Sequence, residues 1–325
     1  MKNSSVTVIT AVYNAERFLR ETVESVASQT LLPNEHLLID DCSTDCSLDL
    51  ARQLEREYPH VRVVEHERNM GFPAALNTGI AESVSDYIGI LDSDDVALPH
   101  WLESVVPVLE SDPQVGSAGG GGVIMTENGV VTGYIKYCDQ KGDVTAATLD
   151  GVYPMLHPGT VHRRAYLEEI GGYNCELKSG EDNDVYLGIS SIAKLINIGI
   201  PLVNYRRLPG SESRKTEEFR VAMYAYLETK SKLLKEGQTV ADTNKQLVSH
   251  VAALKNAPRL AFLTKGAYEF EMASAFEEGN QIYQAIMKYI LVVSLGYERR
   301  HAVRGILRCL IPKKITQLIQ VITFR

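Results

Sequence analysis

Three aspartates within four residues, Asp92-Ser93-Asp94-Asp95, follow the apolar run Tyr87-Ile88-Gly89-Ile90-Leu91. A short apolar run of this kind reads as a buried strand. The acids then emerge together at its carboxyl end, where open α/β sheets hold ligands. Two carboxylates about 4 Å apart repel by roughly 4 kcal/mol at an effective dielectric of 20. A divalent cation removes that cost, and hard cations such as Mg2+ take one or two carboxylates and fill their remaining positions with water and substrate phosphates. The same residues also suit a polar turn that caps the next helix, and the cluster alone leaves both readings open.

Acids at a strand end need a frame to hold them, and the first 100 residues supply alternating strand and helix signals. Val6–Val12, His36–Asp40, Val61–Glu65 and Tyr87–Leu91 read as strands. Asn14 is placed to cap a helix running to about Gln29, with Leu19, Val23, Val26 and Ala27 on one face. Thr44 or Asp45 can cap a second helix ending near Tyr58-Pro59, and Pro73 opens a third through about Ser83. This order predicts an α/β fold with a mostly parallel sheet between helices. Further on, Pro99 starts a helix through about Leu109. Gly119–Gly122 lacks the G-x-G-x-x-G order of a dinucleotide loop and reads as the start of a strand or as close backbone packing. Met155–His162 and Ile196–Val203 read as strand regions, with helices over Tyr166–Ile170 and Asp184–Ala193. From about Glu217 the chain reads as helices only, with breaks near Gly237, Pro258, Gly279, Gly296 and Pro312, so the main boundary is placed near residue 210.

The chain has 325 residues, 45% of them hydrophobic, which is enough for a full core in one large or two smaller domains. A net charge of −8 argues against a general nucleic-acid binder. No signal-peptide pattern precedes the first strand, and no apolar stretch reaches the roughly 18 residues that span a bilayer. Five scattered cysteines suit reduced thiols in a cytoplasm. Cys42 and Cys46 lack the second close pair that a zinc site requires.

The ordered motifs resemble family 2 glycosyltransferases of the GT-A fold. The residues that carry the resemblance are Val8-Ile9-Thr10-Ala11-Val12-Tyr13-Asn14, Ser28-Gln29-Thr30, Leu38-Ile39-Asp40-Asp41-Cys42-Ser43-Thr44-Asp45, Asn69-Met70-Gly71, Leu76-Asn77-Thr78-Gly79-Ile80, Asp92-Ser93-Asp94-Asp95, Gly171-Gly172-Tyr173 and Glu181-Asp182. They span roughly residues 5–210. The resemblance implies an inverting transfer of a sugar from a nucleotide donor, assisted by Mg2+ or Mn2+. It places Thr10, Ala11, Tyr13 and Asn14 along the base and ribose, and Asp41 on the N3–H of uracil, which favours a UDP or dTDP donor. Asn77, Asp92 and Asp94 join the donor-binding set. Asp95 is expected to contact the metal directly, Asp94 to contact ribose or metal, and Asp92 to support them. Asp182 is the expected catalytic base, with Glu181 beside it as support or as the alternative. An acidic first helical turn, favoured by the helix dipole, is the plainer reading of that pair.

Two features depart from the family pattern. Leu76 stands where some members carry an arginine, and Tyr205-Arg206 is followed by Arg207 and Leu208 rather than by a histidine. Arg206, Arg207 and Arg214 are then either a source of charge for phosphate or ordinary surface arginines. His157 either faces the acceptor or is structural. Residues 286–325 alternate apolar clusters with eight Lys/Arg and one acid, Glu298. Such a segment suits peripheral contact with an anionic membrane, and equally a helix docked on the catalytic domain or on a second subunit of a homodimer. The whole reads as a cytoplasmic enzyme acting on a glycan or lipid-linked acceptor in bacterial surface-polysaccharide assembly. Two rivals are a haloacid-dehalogenase-type phosphatase, whose D-x-D-x-[TV] pattern Asp92–Val96 fits, and a non-catalytic nucleotide-sugar-binding assembly protein.

Overall fold

Val6–Val12 (β1) is a run of β-branched and small residues with every position buried, as expected of a strand covered on both faces. In this computed structural model, which describes residues 5–135, 137, 140–177, 180–208, 217–244 and 247, β1 lies inside the sheet. It pairs in parallel with β2 (Glu35–Asp40) on one side and β4 (Tyr87–Ile90) on the other. β3 (Val61–Glu65) extends the parallel half beyond β2. Beyond β4 the sheet becomes mixed. β9 (Val161–Arg163) runs antiparallel between β4 and β6 (Val115–Thr126), and β10 (Lys194–Arg207) pairs in parallel with β6. The strand order is β3-β2-β1-β4-β9-β6-β10-β5, with β5 at Val96–Ala97, while β7 (Val131–Tyr134) pairs with β6 and β8 (Gly142–Asp143) with β10.

Helices cover both faces of the parallel half. Alternate β1 side chains decide which helix meets which face. Val12 joins the cluster with Leu19 and Val23 of α1 (Leu19–Ala27) and Ala51 and Leu54 of α2 (Ser47–Glu57). Ile9, on the opposite face, lies under α3 (Phe72–Glu82), where a Cβ on Gly79 would come within 2.6 Å of its side chain. Trp101 opens α4 (Trp101–Ser111) and fills the second cluster with Val6, Val8 and Val105. Its indole N–H donates to the Gly159 carbonyl at 2.7 Å.

The glycine run lies inside β6 because neighbours press directly on its backbone. A Cβ on Gly120 would sit 2.5 Å from the Ile200 carbonyl oxygen. Other expectations shift. Asn14 does not cap α1: it takes φ of 53°, the helix starts five residues later, and its Oδ1 accepts the Thr44 N–H at 2.8 Å. The strand expected over Met155–His162 shrinks to Val161–Arg163, because Gly159 turns at φ of 89° and the Thr160 N–H closes onto the His157 carbonyl. α5 (Thr145–Leu149) and α6 (Arg164–Glu169) precede α7, which runs Glu181–Ser190. Glu181 and Asp182 therefore form the first turn of α7 rather than the loop before it. α8 (Glu217–Lys235) follows β10. One compact unit comprises Met1–Ser211 together with Leu227–Leu247. Among the described residues no helix is long and apolar enough to cross a membrane. The basic segment 286–325 lies outside the described residues.

Candidate active site

The chain winds outward from β1 through β2 to β3 and then returns to place β4 on the other flank of β1, which makes the β1 edge a topological switch point. The carboxyl ends of β1, β2 and β4 deliver Tyr13-Asn14, Asp41 and Asp92–Asp95 to that edge. One carboxylate oxygen from each of Asp92, Asp94 and Asp95 lies within 4.8 Å of the others. The loop is tightly held. The Asp95 N–H closes onto the Asp92 carbonyl, and Thr22 Oγ1 of α1 donates to the Asp95 carbonyl at 2.7 Å.

Arg206, at the end of β10, corrects the expectation that it lies on the surface or on phosphate. It is buried, and its functional groups are spent on the acid loop and its surroundings. Its main-chain N–H donates to Asp95 Oδ1 at 2.7 Å, its Nε to the Asp94 carbonyl at 2.7 Å and its Nη1 to the Glu127 carbonyl at 2.9 Å. It also pairs with Glu21 and stacks over the Phe18 ring. Arg207 is exposed, and Arg214 lies outside the described residues.

Gly180, in the left-handed region at φ of 76°, turns the chain into α7, whose first turn carries Glu181, Asp182 and Asp184. The Asn183 N–H donates to Asp182 Oδ1 at 2.7 Å. Burial, then the charges of Asp94, Glu181 and Asp182, push the Asp92 carboxyl up to about 8. Burial and Asp182 push Glu181 up to about 7. Burial raises Asp182, Asp94 and Asp95 as well, Asp95 well above the usual carboxylate range. Glu181 and Asp182 at the start of α7 thus act electrostatically on Asp92 at the end of β4. Tyr173 feels the same field: burial first, then Tyr186, Asp182, Glu181 and Asp92 hold its phenol well above its ordinary value. Its hydroxyl meets His157 Nε2 at 2.9 Å, so His157 is a structural partner of Tyr173, with burial holding its imidazole down at about 4.

The other expected donor contacts divide. Tyr13 is half exposed at the end of β1, while Ala11 is buried. Thr10 is buried and turns its hydroxyl into the sheet onto His36 Nε2 at 2.9 Å. Asp41 is buried, and its carboxylate already accepts His66 Nδ1 and the main-chain N–H groups of Met70 and Gly71 at 2.7–2.8 Å. Asp40 accepts the Ser43 N–H, which is turn chemistry. Asn77 is engaged with the chain itself: its amide accepts the Tyr173 N–H and donates to the Tyr173 carbonyl, both at 2.8 Å. It therefore fixes the loop before α7. The sequence reading overlooked His66, which links Asp41 to Thr78 Oγ1, because a lone histidine after a strand carries no local pattern.

The acid triad fits a hard divalent cation. Asp92 Oδ1 and Asp95 Oδ2 are buried and have no hydrogen-bond partner, an expensive arrangement for carboxylates unless a cation meets them. Three converging carboxylates form the all-oxygen donor set preferred by Mg2+ and Mn2+.

Comparison with known proteins agrees with this frame. The chain is 29% identical over 211 residues to an uncharacterized glycosyltransferase of Haemophilus influenzae, a match covering 62% of this chain and 65% of that protein. It is 39% identical over 90 residues to TuaG of Bacillus subtilis, assigned by name to teichuronic acid biosynthesis, covering 28% of this chain and 36% of that protein. The chain thus spans less than two thirds of the length of these relatives. Its fold matches the crystal structure of S. aureus TarS 1–349 in complex with UDP-GlcNAc with a TM-score of 0.55 at 18% identity, covering 93% of this chain and 89% of that one. The family model of Glycosyl transferase family 2 matches residues 7–170, half of the sequence and the segment that carries every strand from β1 to β9. The chain belongs to glycosyl transferase family 2.

Proposed function

We propose that the protein is a cation-dependent, inverting glycosyltransferase that moves a sugar from a nucleoside-diphosphate donor to an acceptor hydroxyl. The observation that carries this reading is the convergence of Asp92, Asp94 and Asp95 with two buried oxygens left without a partner, beside which Glu181 and Asp182 act on Asp92. The triad follows β4 inside the family-matched segment, the Glu181/Asp182 pair opens α7 beyond it, and the Arg206 and Asn183 N–H groups hold Asp95 and Asp182. Family membership supports the reaction class. UDP is the favoured nucleotide, and the UDP-GlcNAc seen with TarS supports a UDP-sugar.

Asp92, Asp94 and Asp95 would hold Mn2+ or Mg2+, which when bound supplies positive charge to the donor diphosphate. Asp182 accepts the proton of the acceptor hydroxyl, its Oδ1 held by the Asn183 N–H. The acceptor oxygen bonds to the anomeric carbon as that carbon's bond to the diphosphate oxygen breaks. The electron pair leaves with the nucleoside diphosphate, and attack from the opposite face inverts the configuration. Glu181, raised to about 7, is matched to proton transfer near neutral pH and is the alternative base. Tyr13 lies along the base. Asp41 orders the 66–71 loop beside it, and its carboxylate is the candidate acceptor of the uracil N3–H.

In the same reading residues 1–210 form the catalytic domain and 211–325 a helical region. The protein works on the cytoplasmic face of the membrane, touching it through 286–325 or using that segment to pair with a second copy. Its acceptor is a glycan or lipid-linked glycan of a bacterial surface polysaccharide. The test is a screen of nucleotide sugars for thermal stabilisation with Mn2+ and with EDTA, followed by assay for nucleoside-diphosphate release. A donor that stabilises only with cation and is then turned over supports the proposal. Binding without hydrolysis or transfer indicates the non-catalytic binder. Phosphate release from simple phosphomonoesters without an acceptor indicates the phosphatase.

A further inference from the structure

Helix α8 brings a buried cation to the acid-rich start of α7. Lys230 Nζ lies 2.5 Å from Asp184 Oδ1, with side-chain exposures of only 1% and 3%. Asp184 shares the first turn of α7 with Glu181 and Asp182. α8 is fastened at several points along the same side. Ser231 Oγ donates to the Leu149 carbonyl at the end of α5, Lys235 pairs with Asp150, and Leu227 and Leu234 are buried. None of these α8 residues falls within the segment matched by the family, which ends at residue 170.

We propose that Lys230 is a positioning residue for the proton-accepting pair: its ion pair with Asp184 orients the first turn of α7 and offsets the third carboxylate beside Glu181 and Asp182. The inference rests on the reading of Glu181 and Asp182 as that pair. Asp184 is a charge in the same helical turn that is not itself part of the proton transfer, and it raises both neighbours. The pair in turn raises Asp92 after β4 and Tyr173 in the loop before α7, and Asp182 raises Tyr186 on α7 itself. From α8 the nearby cations are Lys230, on Asp184, and Lys235, whose charge is matched by Asp150. Breaking one side of a buried ion pair leaves an uncompensated charge, so loss of either partner acts on the pair with opposite sign.

The test is a pH titration of the side-chain carboxyl carbons by NMR on the full chain, with Asp182→Asn and Glu181→Gln assigning the two resonances. Lys230→Met, Asp184→Asn and the double variant are compared with wild type. Because the pair titrates together, its two midpoints are read jointly. Lys230→Met is expected to move them up and Asp184→Asn to move them down, each by about half to one pH unit. The double variant is expected to return them to within about 0.3 unit of wild type, because removing both partners cancels the two opposing charge effects. Midpoints that move in the same direction in both single variants, or that do not move, overturn the proposal. If Lys230→Met fails to fold, Asp184→Asn and the double variant decide, a downward shift that the second change reverses being the expected result. Transfer assays separate this inference from the reading beneath it. Opposed shifts in an enzyme that turns over no donor leave the ion pair standing and remove the base assignment. Lost transfer with unmoved midpoints removes the role of Lys230.

Discussion

The main-chain N–H of Arg206 donates to Asp95 Oδ1 at 2.7 Å, which ties the last turn of the sheet's β10 to the acid loop after β4. The arginine side chain then binds the Asp94 and Glu127 carbonyls and Glu21. Arg206→Met keeps the main-chain bond and frees those acceptors. Groups that orient metal ligands typically contribute 10–100-fold in affinity, so Mn2+ titrated calorimetrically should bind about 10–100-fold more weakly. Arg206→Lys should recover little, since one ammonium cannot reproduce the planar fork. Unchanged Mn2+ affinity in both variants would remove Arg206 from the site.

Stability without metal should fall as pH rises. Burial and neighbouring acids push Asp92 up to about 8 and Glu181 up to about 7, both above their values in an unfolded chain. The folded state therefore holds protons that the unfolded state releases. This contribution is complete below about pH 4 and is lost as pH climbs through 7 and 8. Thermal unfolding in EDTA between pH 5 and pH 8 should show a decreasing Tm. Asp92→Asn should flatten that decline, and Mn2+ should restore the wild-type Tm at the alkaline end. A Tm that rises across the range, or an equal slope in the variant, would contradict the electrostatic account.

Asn77 holds the loop before α7 through two bonds to the Tyr173 backbone. Asn77→Ala leaves the Tyr173 N–H and carbonyl unpaired, at a cost of about 1–3 kcal/mol read from the denaturant midpoint. A loss below about 0.5 kcal/mol would show that solvent replaces both bonds.

The frame of this site was largely legible in the chain, and its fastenings were not. Val6–Val12, Val61–Glu65 and Tyr87–Leu91 are apolar runs bounded by turn residues, so the parallel half of the sheet followed from local pattern. Pro73 announced α3, which holds it in the first turn. β10 extends beyond the expected Ile196–Val203 to Arg207, because it stays paired with β6 as far as Thr126, and Arg206 finds its acceptors in the Asp94–Asp95 loop more than 100 residues away. A polar strand end of that kind looks like a loop until its distant partners are known. Asn14 misled for a related reason: a residue type that suits a helix cap serves here to bind Thr44 across the switch point. The motif order brought the acids of β4 and α7 into one reading, but Asp184 and Lys230 are 46 residues apart and share no local signal.

Asp182→Asn should lower the transfer rate by about 10²- to 10⁴-fold, the usual contribution of a positioned general base. Donor affinity should stay within about threefold, since the substitution is isosteric and removes an interaction made only in the transition state. A comparable loss of donor affinity would reassign Asp182 to binding.

The most direct test of the central claim is calorimetric titration of UDP into the wild-type protein and Asp95→Ala, each with Mn2+ and with EDTA. The account predicts measurable binding only for the wild type with Mn2+. Equal affinity in all four titrations would show that the acid triad does not hold a cation for the donor diphosphate.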